Sequence, residues 1–284
     1  ARSKVTVALS GDAGDELFGG YNRYFWGPRI WQKFSWMPFF VRKIIGNSMD
    51  LVPSYGLNYL EKNMHKYSKK NITKIGNKFD KISKVLKSSR NVDDMYSSLT
   101  SAWDITSSVV IDDSDTSQDY ILEKTNFKAC QNDSLNMMYK DILSYLPDDI
   151  LCKVDRAAMA SSLETRAPFL DHRVVEFALG MPIELKIRNN KGKWALREIL
   201  YKYVPKDMME RPKTGFSIPI GDWLRGPLKE WAEELLDNDK IKSQGYLKPE
   251  IVSSIWTLHK SGKYDYTSRI WSILMFQSWL ELNS

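Results

Sequence analysis

The stretch KVTVALSGDAGDELFGGYNRY, residues 4–24, constrains this chain more than any other, because it runs an apolar segment straight into a glycine-punctuated acidic turn. Val5, Val7 and Leu9 lie among small residues and Ser10-Gly11 stops the run, which predicts a short buried strand ending in a turn. Gly11 and Gly14 let the backbone turn tightly and approach a ligand closely, while Asp12, Asp15 and Glu16 put three carboxylates within five residues. Like charges that close repel. They are tolerable if they fan into water, cap the helix that DELF begins, or share a cation such as Mg²⁺, which prefers carboxylate and phosphate oxygens. Taken alone, such a turn is ordinarily a solvated strand-to-helix connection with Asp12 or Asp15 as N-cap.

Beyond this turn the chain is helical in pattern. Pro38 divides an aromatic-rich run, Pro28 to Asn47, into two helical pieces. The Lys- and Asn-rich residues Gly56 to Ser88 predict a helix, a solvated connector around Asn71 to Gly76, and a helix through Phe79, Ile82 and Leu86. Val92 to Trp103 predicts another helix, and Ile105 to Gln118 a mobile polar loop. Asn132 to Glu164 reads as two helices parted near Pro147, with Asp148 or Asp149 capping the second. Asp171 is expected to cap a helix whose Val174, Val175, Phe177 and Ala178 face inward. Lys193 to Val204 is amphipathic, with Leu196, Ile199, Leu200 and Tyr203 in one stripe ended by Pro205. Ile220 to Leu236, Pro249 to His259 and Tyr266 to Leu282 complete a helical region, and beyond the opening strand nothing reads as sheet.

Composition narrows the partners. At 284 residues and 43% apolar content the chain can bury a sizeable core, and its formal charge of +6 permits anionic ligands. The lysines are spread along the chain, with clusters at 66–74 and 78–87, and form no aromatic-laced basic motif, which argues against nucleic acid. No apolar run approaches a membrane span, and Cys130 and Cys152 are the only cysteines, which fits a reducing, cytoplasmic setting with Cys152 as a small core residue. His65, His172 and His259 fall in separate segments, so they are read as surface or capping groups rather than zinc ligands. The C-terminal tryptophans, Trp223, Trp231, Trp256, Trp271 and Trp279, are read as core rather than as a stacking platform.

The string SGDAGDELFGGYNRY resembles the second signature of the asparagine synthase family, the glutamine-hydrolysing, ATP-dependent amide ligases. Three further strings resemble that family in its own order: residues 145–178, YLPDDILCKVDRAAMASSLETRAPFLDHRVVEFA; KGKWALREIL from Lys191; and RPKTGFSIPIGDWL from Arg211. The resemblance implies a mostly α part of an α/β adenine-nucleotide α-hydrolase-like (ATP pyrophosphatase) synthetase domain, with one parallel-type strand at its start. The family's amino-terminal glutaminase domain and its Ser-Gly-Gly-x-Asp-Ser phosphate loop do not occur in these 284 residues, so residues 1–284 are expected to be the later part of the synthetase domain. That family activates aspartate with ATP and Mg²⁺ as an acyl-adenylate, which ammonia from glutamine attacks.

By the same resemblance, Ser10 and Gly11 lie against the AMP portion, Asp12 is the acidic residue acting as base, Asp15 is the Mg²⁺ ligand, and Glu16 faces the substrate's amino group. Lys193 matches the lysine that neutralises phosphate charge in the transition state; taken alone it is a surface lysine before a helix. Lys153 is either one partner in a salt-bridged helix face or the partner of the aspartate α-carboxylate. Arg211 and Lys213 either reach phosphates or are solvated, and Glu164 and Arg166 brace the bend before Pro168. Asp12 stands where some members have Glu, and Ala13 where Gly is frequent, an exchange that is harmless if its φ is negative. Relatives with this scaffold make other products, including a β-lactam, and a homodimer fits the family. The alternative from another class is a helical binding or oligomerisation module without activity.

Overall fold

The computed structural model describes residues 1–50, 75–103, 109–111, 132–210, 218–262 and 264–283. The expectations for Gly56 to Asn71, most of the loop 105–118, His65, Cys130, Arg211 and Lys213 lie outside these residues. The described residues are mostly helical, with one two-stranded parallel sheet. They fall into two compact units, the first drawn from residues 1–37, 90–96 and 118–213, the second from 38–89, 97–117 and 214–284.

In the first unit, β1 (Val7–Leu9) pairs in parallel with β2 (Glu164–Arg166), Val7 opposite Glu164 and Leu9 opposite Arg166. The strand was expected; its partner was not, because ETR carries no apolar alternation. Ser10 N–H donates to the Arg166 carbonyl at 2.8 Å and Glu164 N–H to the Thr6 carbonyl at 3.0 Å, which extends the pairing at both ends. The expectation of a buried strand is corrected: Val7 is 45% and Leu9 76% exposed. A parallel strand is buried when neighbours cover both faces, and a pair of three-residue strands supplies neither cover.

Helix Gly14–Phe18 follows β1 and places Leu17 and Phe18 in an apolar cluster with Ala13, Leu146, Ala178 and Met181. Helix Asp133–Leu143 packs beside it and helix Arg23–Phe34 packs on Asp133–Leu143, with Tyr24, Phe25, Met137 and Met138 buried. The expected pair of helices does part, at Ser144 just before Pro147, and Pro147 itself lies in a π-helical turn, Leu146–Leu151, that runs directly into helix Cys152–Met159. Pro147 sits in its first turn, where its missing N–H leaves no lost bond, so Asp148 and Asp149 are helical residues and not caps. Asp171 does cap helix His172–Gly180, accepting from Arg173 N–H at 3.0 Å. Ala178 is buried as expected, whereas Phe177 is 68% exposed, as are Ile199 at 54% and Tyr203 at 80%.

In the second unit, helix Phe39–Asp50 begins after Pro38 as predicted and pairs with helix Ile75–Ser88. Arg42 donates to the Ser89 carbonyl at 2.9 Å and Ser83 Oγ to the Gly46 carbonyl at 3.0 Å. The carboxy-terminal helices surround Leu224, Leu235, Ile241, Val252, Ile270 and Leu274. The stretch predicted as one helix from Ile220 is two, Ile220–Arg225 and Lys229–Leu235, parted at Gly226-Pro227. Helix Asn238–Gln244, capped by Asp237, went unpredicted. Trp256 is buried, but Trp223 and Trp279 are 39% and 57% exposed. His259 is fully buried, not a surface group, and Cys152 is half-buried.

Candidate functional site

The site starts where β1 ends. Ser10, Gly11 and Asp12 form the turn, half-buried or exposed, and Ala13 closes it as N-cap of helix Gly14–Phe18. Ala13 has φ 67, so the condition for a harmless exchange, a negative φ, is not met, and its Cβ sits in a left-handed conformation that costs on the order of 1 kcal/mol. Its burial in the apolar cluster holds it there. Asp15 and Glu16 occupy the first turn of the helix and point to different places.

Asp15 meets Lys193. The ammonium Nζ lies 3.1 Å from Asp15 Oδ2, and both side chains are about one-third exposed, at 31% and 27%. Two glycines permit this approach. A Cβ on Gly20 would fall 1.8 Å from Asp15 Oδ1 and 2.5 Å from Lys193 Cε, and one on Gly192 would fall 1.9 Å from the Gly19 carbonyl oxygen. The Lys193 backbone is itself left-handed, φ 58, with Asn189 and Asn190 at 51 and 62 in the same loop. Its N–H donates to the Phe18 carbonyl at 2.9 Å, fastening the loop to the end of the acidic helix.

A second carboxylate braces that loop. Glu210 accepts from Lys191 at 2.6 Å, from Arg197 at 3.2 Å and from the Tyr201 hydroxyl, while Arg197 Nε also donates to the Gly192 carbonyl at 3.0 Å. The hydrogen bond from Lys191, then that from Tyr201, holds the Glu210 carboxyl down at about 2.

Glu16 turns inward. It is 1% exposed, accepts from the Tyr21 hydroxyl at 2.8 Å, and lines a cavity of about 50 Å³ with Leu17, Met138, Ile142 and Lys186. Burial pushes its carboxyl above the usual carboxylate range, opposed in part by the Tyr21 bond. Behind it lies a polar network that sequence reasoning missed. Asp141, fully buried, accepts from Arg23 Nε at 2.9 Å and Nη2 at 2.7 Å, from Tyr96 at 2.7 Å and from Tyr24. The Arg23 guanidinium also covers the rings of Tyr21 and Tyr145, at 4.4 and 5.0 Å. The signal was present: Asp141 falls three and four residues after the buried Met138 and Met137, on the apolar stripe of its helix.

The other candidates stand apart. Asp12 makes no side-chain hydrogen bond or ion pair to a described residue. Lys153 is exposed on helix Cys152–Met159. Glu164 and Arg166, read as bracing a bend, are the ends of β2 and pair with each other. Among the described residues no three His, Cys, Asp or Glu side chains are grouped to hold a metal ion, so a divalent ion at Asp15 would need oxygens from a ligand as well.

The family model described as asparagine synthase matches residues 1–281. The chain belongs to the asparagine synthase family. Asparagine synthetase [glutamine-hydrolyzing] 1 of Bacillus subtilis is 30% identical over 285 residues, covering 100% of this chain and 41% of the relative. A putative asparagine synthetase of Mycobacterium tuberculosis is 30% identical over 288 residues, covering 98% and 40%. The human asparagine synthetase is 30% identical over 139 residues, 43% of this chain and 24% of its own length. The chain thus spans about two-fifths of the length of the two bacterial asparagine synthetases. No solved structure matches. The Asp15–Lys193 pair and the strained loops around it therefore lie within an asparagine synthase domain. Among the described residues no helix is long and apolar enough to cross a membrane.

Proposed function

We propose that the chain is the later part of the synthetase domain of an ATP-dependent ligase that converts aspartate to asparagine through an aspartyl-adenylate, with ammonia drawn from glutamine by a glutaminase domain of the full-length protein. The observation that carries this reading is the Asp15–Lys193 pair at the end of β1, inside a family match over residues 1–281. A parallel strand ending in such a loop also supports the adenine-nucleotide α-hydrolase-like fold, since ligands of parallel α/β sheets sit beyond the strand ends.

The residues fit a divalent cation. Asp15 supplies a hard carboxylate oxygen, the Lys193 ammonium already stands in for a cation on it, and Gly20 keeps the space clear. Mg²⁺ held there would neutralise charge on the phosphates. Ser10 and Gly11, where the exposed turn allows close approach, would receive the AMP portion. Lys193 would offset charge developing between the α-phosphate and the leaving pyrophosphate. Asp12, half-buried and unpaired with any described side chain, would take the proton that the attacking nitrogen loses. The Glu16 carboxylate, dehydrated by burial, gains most from an incoming substrate ammonium, and Lys153 would pair with the α-carboxylate.

Aspartate-dependent exchange of pyrophosphate into ATP by the full-length protein tests this reading. Activity that Asp15→Asn and Lys193→Ala both abolish is expected, and exchange with another carboxylate alone would overturn the substrate assignment. The isolated 284-residue chain is expected to show no exchange.

A further inference from the structure

Lys193 and Asp15 have been given separate tasks, yet they touch. An ammonium 3.1 Å from Asp15 Oδ2 takes one coordination direction of that oxygen and sets a positive charge beside any metal the carboxylate would hold. Ammonium and metal ion repel each other and compete for the same carboxylate charge. The backbone cannot carry Lys193 away either: its N–H is bonded to the Phe18 carbonyl, Gly192 is pressed against Gly19, and Arg197, itself held by Glu210, bonds the Gly192 carbonyl. What remains free to move is the lysine side chain, four methylenes long and one-third exposed. Rotamer changes of such a chain take picoseconds to nanoseconds.

We propose, resting on the assignment of Asp15 as metal ligand, that the Lys193 ammonium is a resident counter-ion that Asp15 exchanges for the divalent cation. Lys193 then swings on its pinned backbone to where phosphate charge appears. Asp15 is never left without a cation, and the catalytic ammonium is released only when metal has arrived. Removing the ammonium while keeping its bulk therefore strengthens metal binding, although the same change would remove a residue needed for catalysis.

The test uses Mn²⁺ alone as probe, without nucleotide, with bound and free ion separated by electron paramagnetic resonance. Lys193→Met is expected to tighten Mn²⁺ binding about three- to fivefold, the worth of a partly exposed ion pair. Lys191→Met, which removes the same charge from a lysine bound to Glu210 rather than Asp15, is expected to change it by less than about 1.5-fold. In the unsubstituted protein, saturating Mn²⁺ should raise acylation of Lys193 by a succinimidyl ester, read by mass spectrometry, with no rise at Lys191. Equal tightening by both variants, or no tightening by Lys193→Met, or metal-independent labelling of Lys193, overturns the exchange. Asp15→Asn separates this from the underlying assignment: if it leaves Mn²⁺ affinity unchanged, Asp15 is not the metal ligand and the reading beneath the proposal fails.

Discussion

The two units solve the problem of burying polar groups in opposite ways. Among the described residues, the five non-glycine residues with positive φ, Ala13, Ser162, Asn189, Asn190 and Lys193, belong to the first unit, as does the Asp141 network. Among the described residues, the buried side-chain atoms left without a hydrogen bond, which include Gln277 Nε2 and Oε1, Gln244 Oε1 and Ser89 Oγ, belong to the second. The first unit thus stores backbone strain and satisfies its buried charge; the second relies on apolar packing and tolerates loose polar ends. Strain collects where loops must hold a carboxylate and an ammonium in place, and it persists because polar networks and packing over-determine it.

The contrast is sharpest at Asp141. Asp141→Ala would leave Arg23, Tyr24 and Tyr96 facing a void and should cost about 4 kcal/mol, with urea unfolding as the measure and amide exchange rising in the first unit. A loss under about 1 kcal/mol would mean that the network is not what holds that unit. Leu274→Ala, at a fully buried apolar position of the second unit, should cost about 3 kcal/mol through transfer and cavity terms, with exchange rising there. If both substitutions loosen both units equally, the division has no energetic meaning.

A smaller effect separates the units by pH. Burial, then the nearby Arg225, lowers the pKa of His259 below its ordinary 6.5, with Asp265 and Asp222 opposing. In the fold its Nδ1 accepts from Tyr266 N–H at 3.3 Å. The unfolded chain takes up this proton first as pH falls, so the contribution is complete above 6.5 and declines below it. In His259→Gln the decline of second-unit stability below that pH should be shallower; an identical slope would show that other groups carry it. Smallest of all, Ala13→Gly should gain about 0.5 kcal/mol, the relief of left-handed strain net of glycine's entropy. Destabilisation instead would show that the turn stores no strain.

Much of the helical order was legible, because helix breaks and caps are local. Pro38 and Asp171 act where the sequence places them. The family was legible too, since ordered signature strings survive in one dimension. By contrast β2 was invisible, because three residues without alternation become a strand only when β1 lies beside them. The left-handed φ of Ala13 and Lys193 was equally hidden: neither residue type prefers it, and burial or the Phe18 carbonyl imposes it.

The sequence by itself determined which residues carry charge at the end of β1 and which family they belong to, since both are properties of residue type and order. Only the tertiary structure decided that Asp15, 178 positions away from Lys193 by their numbers, would share an ion pair with it while its neighbour Glu16 was buried against Tyr21. Adjacent positions on a helix point about 100° apart, so which carboxylate meets a lysine and which meets a tyrosine depends on what packs against each face.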